Sequence, residues 1–228
     1  MALPVAPMAL PAADDENEGQ FTKHHVVDTH VRGKALSVVY TNDPVLVEIS
    51  IQTMEQFLVE DKYRVVGFDL EYTIGRAGHD HKVVVAQMCM PHDVLVYHFH
   101  LATRPCERFS RFINSSDYNF ATVDTTNDLK ALKVSDLKCP NLVNIQHHDK
   151  VWGSDKNKLN SLVDLASAII DPYCTKMKEE NNKDKNAWHS VWHERLDEQH
   201  VKYAAMDAYT SYKMYRWIVD MMNCLLPD

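Results

Sequence analysis

Apolar positions recur in two rhythms along this chain, every second residue in some stretches and every third or fourth in others. Ala35-Leu36-Ser37-Val38-Val39-Tyr40 alternates like a strand and closes on Thr41-Asn42-Asp43-Pro44, where Asn, Asp and Pro together favour a turn. After that turn the alternation of Val45, Val47 and Ile49 predicts a short strand, and Met54, Phe57 and Leu58 a helix. Val65 to Tyr72 reads as a buried strand. Lys82 to Cys89 and Asp93 to Phe99 are two more, and with only Met90-Pro91-His92 between them they must be antiparallel neighbours. Cys106 to Ile113 permits a helix and Phe120-Ala121-Thr122-Val123 a short strand. Asn127 is placed as the N-cap of a helix carrying Leu129, Leu132 and Val134. Leu142, Val143 and Ile145 make one more buried piece, and Leu159 to Ile170 an amphipathic helix that stops at Asp171-Pro172. A charged, polar loop follows over 176–185. From about Asp197 to Met222, residues Val201, Ala204, Ala205, Ala208, Tyr212, Tyr215 and Val219 recur at helical spacing toward the core. Strands clustered early and helices later predict a layered α/β fold with a mixed sheet.

Into the strand Val65 to Tyr72 two carboxylates are set one residue apart. Side chains alternate faces along a strand, so Asp69 and Glu71 share one face while Phe68, Leu70 and Tyr72 point the other way. Such pairs occur on solvated sheet faces, where each carboxylate is simply hydrated. Here the flanking valines indicate a buried central strand, and Gly67 would let another backbone or a ligand come close. Two like charges there need a cation. Oxygen-rich sites suit Mg²⁺ or Mn²⁺, and two such ions roughly 3.5–4 Å apart are a recurring device for cutting phosphodiesters. Asp128 falls in the first turn of its helix, where the macrodipole alone favours a carboxylate. Tyr203 and Asp207 lie one helical turn apart, so phenol and carboxylate can reach one site, although the same spacing serves a purely structural pair.

Composition narrows the partners. A chain of 228 residues can bury one sizeable core, with residues 1–22 reading as a disordered tail without the basic start of a secretory signal and 23–228 as one domain. The net charge of −8 argues against holding nucleic acid through a broad basic surface, yet permits a nuclease whose acidic site recruits cations. Cys89, Cys106, Cys139, Cys174 and Cys224 are scattered without metal or disulfide spacing, as expected of reduced thiols in the cytoplasm or nucleus. Among the histidines only His189 and His193 have helical ligand spacing, and with no cysteine beside them a zinc site is not expected. No apolar run approaches the roughly 18 residues of a membrane span.

Taken together, Val66-Gly67-Phe68-Asp69-Leu70-Glu71, Val85-Ala86-Gln87-Met88-Cys89, Asp128 with Leu132, Leu159-Asn160-Ser161-Leu162, Trp192 with Arg195-Leu196, and Tyr203 through Tyr209 come in the order seen in the DEDD 3′–5′ exonucleases of the tyrosine subtype. The chain resembles that family over roughly residues 35 to 220, most of all the short plant proteins of the Werner syndrome exonuclease type. The resemblance implies a ribonuclease H-like fold, a mixed β-sheet flanked by helices. It implies two divalent ions, Mg²⁺ or Mn²⁺, held by Asp69, Glu71, Asp128 and Asp207, with Tyr203 orienting the attacking water. Single-stranded RNA or DNA ends would be hydrolysed to nucleoside 5′-monophosphates, the terminal base packing against Leu70 or Tyr72. Two departures stand out: Asp124 occupies a position that is usually glycine, and Tyr72 one that is Trp in the animal proteins. Asp124 and the acidic balance motivate a rival expectation, a pseudo-exonuclease that binds nucleic acid or a protein partner without turnover.

Overall fold

The structure, a computed structural model, describes residues 19–29, 34–72, 81–123, 125–147, 162–170 and 191–225. Asp124, Leu159 to Ser161, His189, the 176–185 loop and residues 1–18 lie outside the described residues.

Asn42-Asp43-Pro44 opens a helix instead of turning between strands. The Asp43 carboxylate accepts a hydrogen bond from the Val45 N–H at 2.8 Å, and Pro44 takes the first helical position, where a missing N–H costs nothing. Helix α1 (Pro44–Glu60) follows, burying Pro44, Val47, Ile51, Met54 and Leu58 along one stripe. The strand expected over Val45, Val47 and Ile49 is therefore corrected. Val45 and Ile49 are exposed on the far side of α1, so a capped helix outweighs three alternating apolar residues.

Seven strands form one mixed sheet: β1 (Thr22–Asp28), β2 (Ala35–Thr41), β3 (Val65–Tyr72), β4 (Val83–Cys89), β5 (Asp93–Tyr97), β6 (Asn119–Thr122) and β7 (Leu142–Asn144), in the order β1-β2-β5-β4-β3-β6-β7. β4 and β5 are antiparallel, as their short connection demands, and β3 lies between antiparallel β4 and parallel β6. The unexpected strand is β1, an edge strand on β2 in which only Val27 is buried. With it the fold reaches back beyond residue 23: Phe21 is buried, its N–H donating to Asn42 Oδ1 at 2.7 Å.

Helices cover both faces. Against one lie α1, α2 (Glu107–Ile113) and α3 (Thr125–Val134), closing a core around Phe68, Leu70, Met88, Phe109 and Phe120. Against the other lie α4 (Leu162–Ile169) and the long α5 (Glu198–Leu225), packed on Val65, Val85, Cys89 and Ala121. No described helix is long and apolar enough to cross a membrane, and Cys89, Cys106, Cys139 and Cys224 are free thiols.

The placing of α5 depends on Gly67. A Cβ at that position would lie 2.1 Å from the Ala208 carbonyl oxygen and 2.7 Å from the Tyr212 nitrogen, so helix backbone rests directly on strand backbone. Further along, the half-buried Arg216–Asp61 ion pair, 2.7 Å, ties α5 to the end of α1. Before α5, the Leu196 N–H donates to the Tyr40 hydroxyl at 2.8 Å. Tyr40 in turn reaches Nδ1 of His98 at 2.8 Å, and burial holds that imidazole down to about 4, neutral at ordinary pH.

Candidate active site

Strand alternation puts Asp69 and Glu71 on the α5 side of β3, both partly open to solvent. About two and a half turns into α5, Asp207 comes down onto the same spot because Gly67 lets Ala208 sit against the strand. One carboxylate oxygen from each of Asp69, Glu71 and Asp207 lies within 4.8 Å of the others, and no other such group of His, Cys, Asp or Glu occurs among the described residues. Asp128 comes from α3, 4% exposed, with Thr122 Oγ1 at the end of β6 donating to its Oδ2 at 3.2 Å. It is near enough to raise the pKa of Glu71. Tyr203 donates its hydroxyl hydrogen to Asp207, and its ring lies beside the buried Trp192, centroids 6.1 Å apart.

The electrostatics show what this arrangement lacks. Burial pushes the Asp69 carboxyl up to about 7 against a bonded Leu70 N–H that pulls it down. Burial, then Asp69, Asp207 and Asp128, hold Glu71 well above the usual carboxylate range. The charge of Asp207, then burial, then Glu71 and Asp69, drive the Tyr203 phenol far up, so it stays a hydrogen-bond donor at every working pH. Crowded carboxylates with raised pKa values and oxygen atoms converging on one point fit a hard divalent cation, whose charge would relieve the repulsion.

A stability test follows. A carboxyl whose folded-state pKa is raised makes the folded protein bind more protons than the unfolded chain, so stability falls as pH rises from about 4 to about 7. Buried neutral His98 works the other way below its ordinary value of 6.5, so the informative quantity is the difference between wild type and Asp69→Asn, which keep His98 alike. For Asp69 the full linkage is a ceiling of about 4 kcal/mol, and its solvent contact brings the expectation to about 2 kcal/mol. In EDTA, urea unfolding at pH 5 and pH 8, a window that spans roughly two thirds of that pH range, is expected to show wild type losing about 1 kcal/mol more stability than Asp69→Asn, with Mg²⁺ restoring it at pH 8. Parallel pH curves would mean that Asp69 is not strained by its surroundings.

Other expected positions fall differently. Leu70, expected to pack a terminal base, is 3% exposed in the core beneath α1, because alternation sends it to the face opposite the acids. Tyr72 is half-buried at the end of β3, edge-on to His81 with centroids 5.6 Å apart, where the register with β4 shifts. Asn127 is not the N-cap but lies within α3, which begins at Thr125, and Leu129 is exposed. Two residues at the site, present in the sequence motifs but given no role there, are Thr122, which steadies Asp128, and Gln87, which the β3–β4 register sets directly opposite Asp69.

A family model described as 3′–5′ exonuclease matches residues 44–223. No curated protein matches significantly. Among solved structures the chain is similar to the Nibbler EXO domain of Aedes aegypti, at 16% identity and TM-score 0.53, over 78% of this chain and 88% of that one. It is also similar to Escherichia coli RNase D, an exoribonuclease involved in structured RNA processing, at 13% identity and TM-score 0.53, over 76% of this chain and 42% of that one. Trypanosoma brucei RNase D in complex with RNA U12 shows 14% identity and TM-score 0.52, over 74% of this chain and 60% of that one. The chain thus spans less than two thirds of either RNase D. At these identities the likeness is one of fold, and the mixed seven-stranded sheet between helices is the ribonuclease H-like fold.

Proposed function

Since this chain belongs to the 3′–5′ exonuclease family, we propose that it is a metal-dependent exonuclease of the tyrosine subtype, hydrolysing single-stranded RNA or DNA from the 3′ end to nucleoside 5′-monophosphates. One observation carries the reading. Carboxylate oxygens of Asp69, Glu71 and Asp207 converge within 4.8 Å beside a tyrosine bonded to one of them.

Asp69, Glu71, Asp128 and Asp207 are the residues that would hold two Mg²⁺ or Mn²⁺ ions. Such ions lower the pKa of water and offset charge growing on the phosphate and the leaving 3′ oxygen. The chain's own residues do the positioning. Thr122 fixes the carboxylate of Asp128. Tyr203 commits its proton to Asp207, which leaves its oxygen lone pairs to accept a hydrogen bond from the attacking water. The RNA seen with one RNase D neighbour supports a nucleic-acid substrate. The rival binding-module reading rests on Asp124, outside the described residues, and on net charge.

Degradation of 5′-labelled single-stranded RNA and DNA with Mg²⁺, Mn²⁺ or EDTA tests this, with wild type beside Asp128→Ala and Tyr203→Phe. A ladder that needs metal, disappears in Asp128→Ala and slows roughly 10²-fold in Tyr203→Phe is the expected result. Folded wild-type protein that gives no ladder with either metal would remove the proposal. A Tyr203→Phe enzyme at full speed would remove only the role assigned to the phenol.

A further inference from the structure

β4 is buried at all seven positions, Val83-Val84-Val85-Ala86-Gln87-Met88-Cys89, and six of the seven side chains suit that setting. Gln87 does not. It is 0% exposed, and neither its Nε2 nor its Oε1 has a hydrogen-bond partner. A buried amide left unpaired costs roughly 1–3 kcal/mol, and an apolar residue of the same length would avoid that cost. A polar group kept at such a position invites the question of what it faces.

The register answers it. Gln87 pairs with Asp69 across β3 and β4, and residues opposite one another in an antiparallel pair project to the same face, with Cβ atoms about 4.5–5.5 Å apart. On that face Asp69 stands with Glu71 and Asp207. The carboxamide of Gln87 is therefore the neutral side chain that the register sets opposite Asp69, on the face Asp69 shares with Glu71 and Asp207. We propose that Gln87 is a positioning residue: its NH₂ group donates to the Asp69 oxygen turned away from a bound divalent cation, fixing the carboxylate plane for coordination. A ligating carboxylate has a second oxygen to satisfy, and partners of this kind orient the ligand and raise its affinity for the ion. An amide suits the task better than Lys or Arg, because it adds no charge to a buried position. This inference rests on the metal-site reading above and adds Gln87 to it.

Gln87→Met and Gln87→Leu replace the amide by apolar side chains of similar size. Two readouts are needed: urea unfolding in EDTA, and Mn²⁺ affinity measured from the electron paramagnetic resonance of free Mn²⁺. The expected result is a metal-free stability equal to or above wild type, with Mn²⁺ binding weakened about 10- to 100-fold. Mn²⁺ affinity within twofold of wild type in a stably folded variant would overturn the role of Gln87 and leave the acidic site standing. Marked loss of metal-free stability in both variants would overturn it too, since the amide would then be bonded within the fold itself. Wild-type protein that binds no Mn²⁺ would remove the site reading and this inference with it.

Discussion

Asp207→Asn will lower nuclease activity by at least about 10³-fold while leaving the protein folded and α5 docked. Asparagine has the shape of aspartate, and its side-chain oxygen can still accept the hydrogen bond that Tyr203 donates. What it removes is charge. Asp207 is one of three carboxylates whose oxygens lie within 4.8 Å of each other, and its charge is among the causes that raise Glu71. Metal-free Asp207→Asn will therefore be as stable as wild type or more so, and the Glu71 carboxyl will move back toward its ordinary range. The two effects point in opposite directions, which separates a functional carboxylate from a structural one. Rates on a 5′-labelled single strand and urea unfolding in EDTA measure them side by side. Activity within tenfold of wild type would mean that Asp207 holds no cation. A destabilised variant would mean that its charge serves the fold.

Much of this was open to reading in the chain, for reasons that differ by element. β3, β4 and β5 are runs of apolar residues bounded by turns, and α5 repeats its core positions over many turns, so periodicity alone finds them. Asp69 and Glu71 follow from alternation once β3 is known. β1 was hidden because an edge strand with one buried residue has almost no pattern to show. At the start of α1, Asn-Asp-Pro serves equally as a turn and as a capped first helical turn, and only packing of Val47 and Ile51 against the sheet decides. Leu70 has a base-packing role only by resemblance, whereas alternation assigns it to the face opposite the acids, where it lies in the core. Gln87 did leave a trace, a lone amide in a run of core residues, but its meaning needed the register that sets it opposite Asp69.

Gly67→Ala will cost roughly 3 kcal/mol of stability or more, and activity with it, although it adds a single methyl group far from any solvent. Overpacking by one carbon is tolerable when the neighbour is the flexible end of a side chain. Here the neighbours are the carbonyl oxygen of Ala208 at 2.1 Å, Cβ of Tyr212 at 2.6 Å and the nitrogen of Tyr212 at 2.7 Å, all parts of α5 that cannot turn aside. The helix must lift or slide as a body, opening its contacts with Val65, Val85 and Cys89 below. Asp207 precedes Ala208 and moves with it, whereas Asp69 and Glu71 stay with the strand. A displacement of about 1 Å between reacting groups can cost about 10²-fold in rate, so a surviving folded fraction will still be slow. Urea unfolding reports the first effect, and Mn²⁺ affinity at low temperature, where the folded fraction is largest, reports the second. Wild-type stability in Gly67→Ala would contradict the backbone contact between β3 and α5 on which the convergence of the three carboxylates depends.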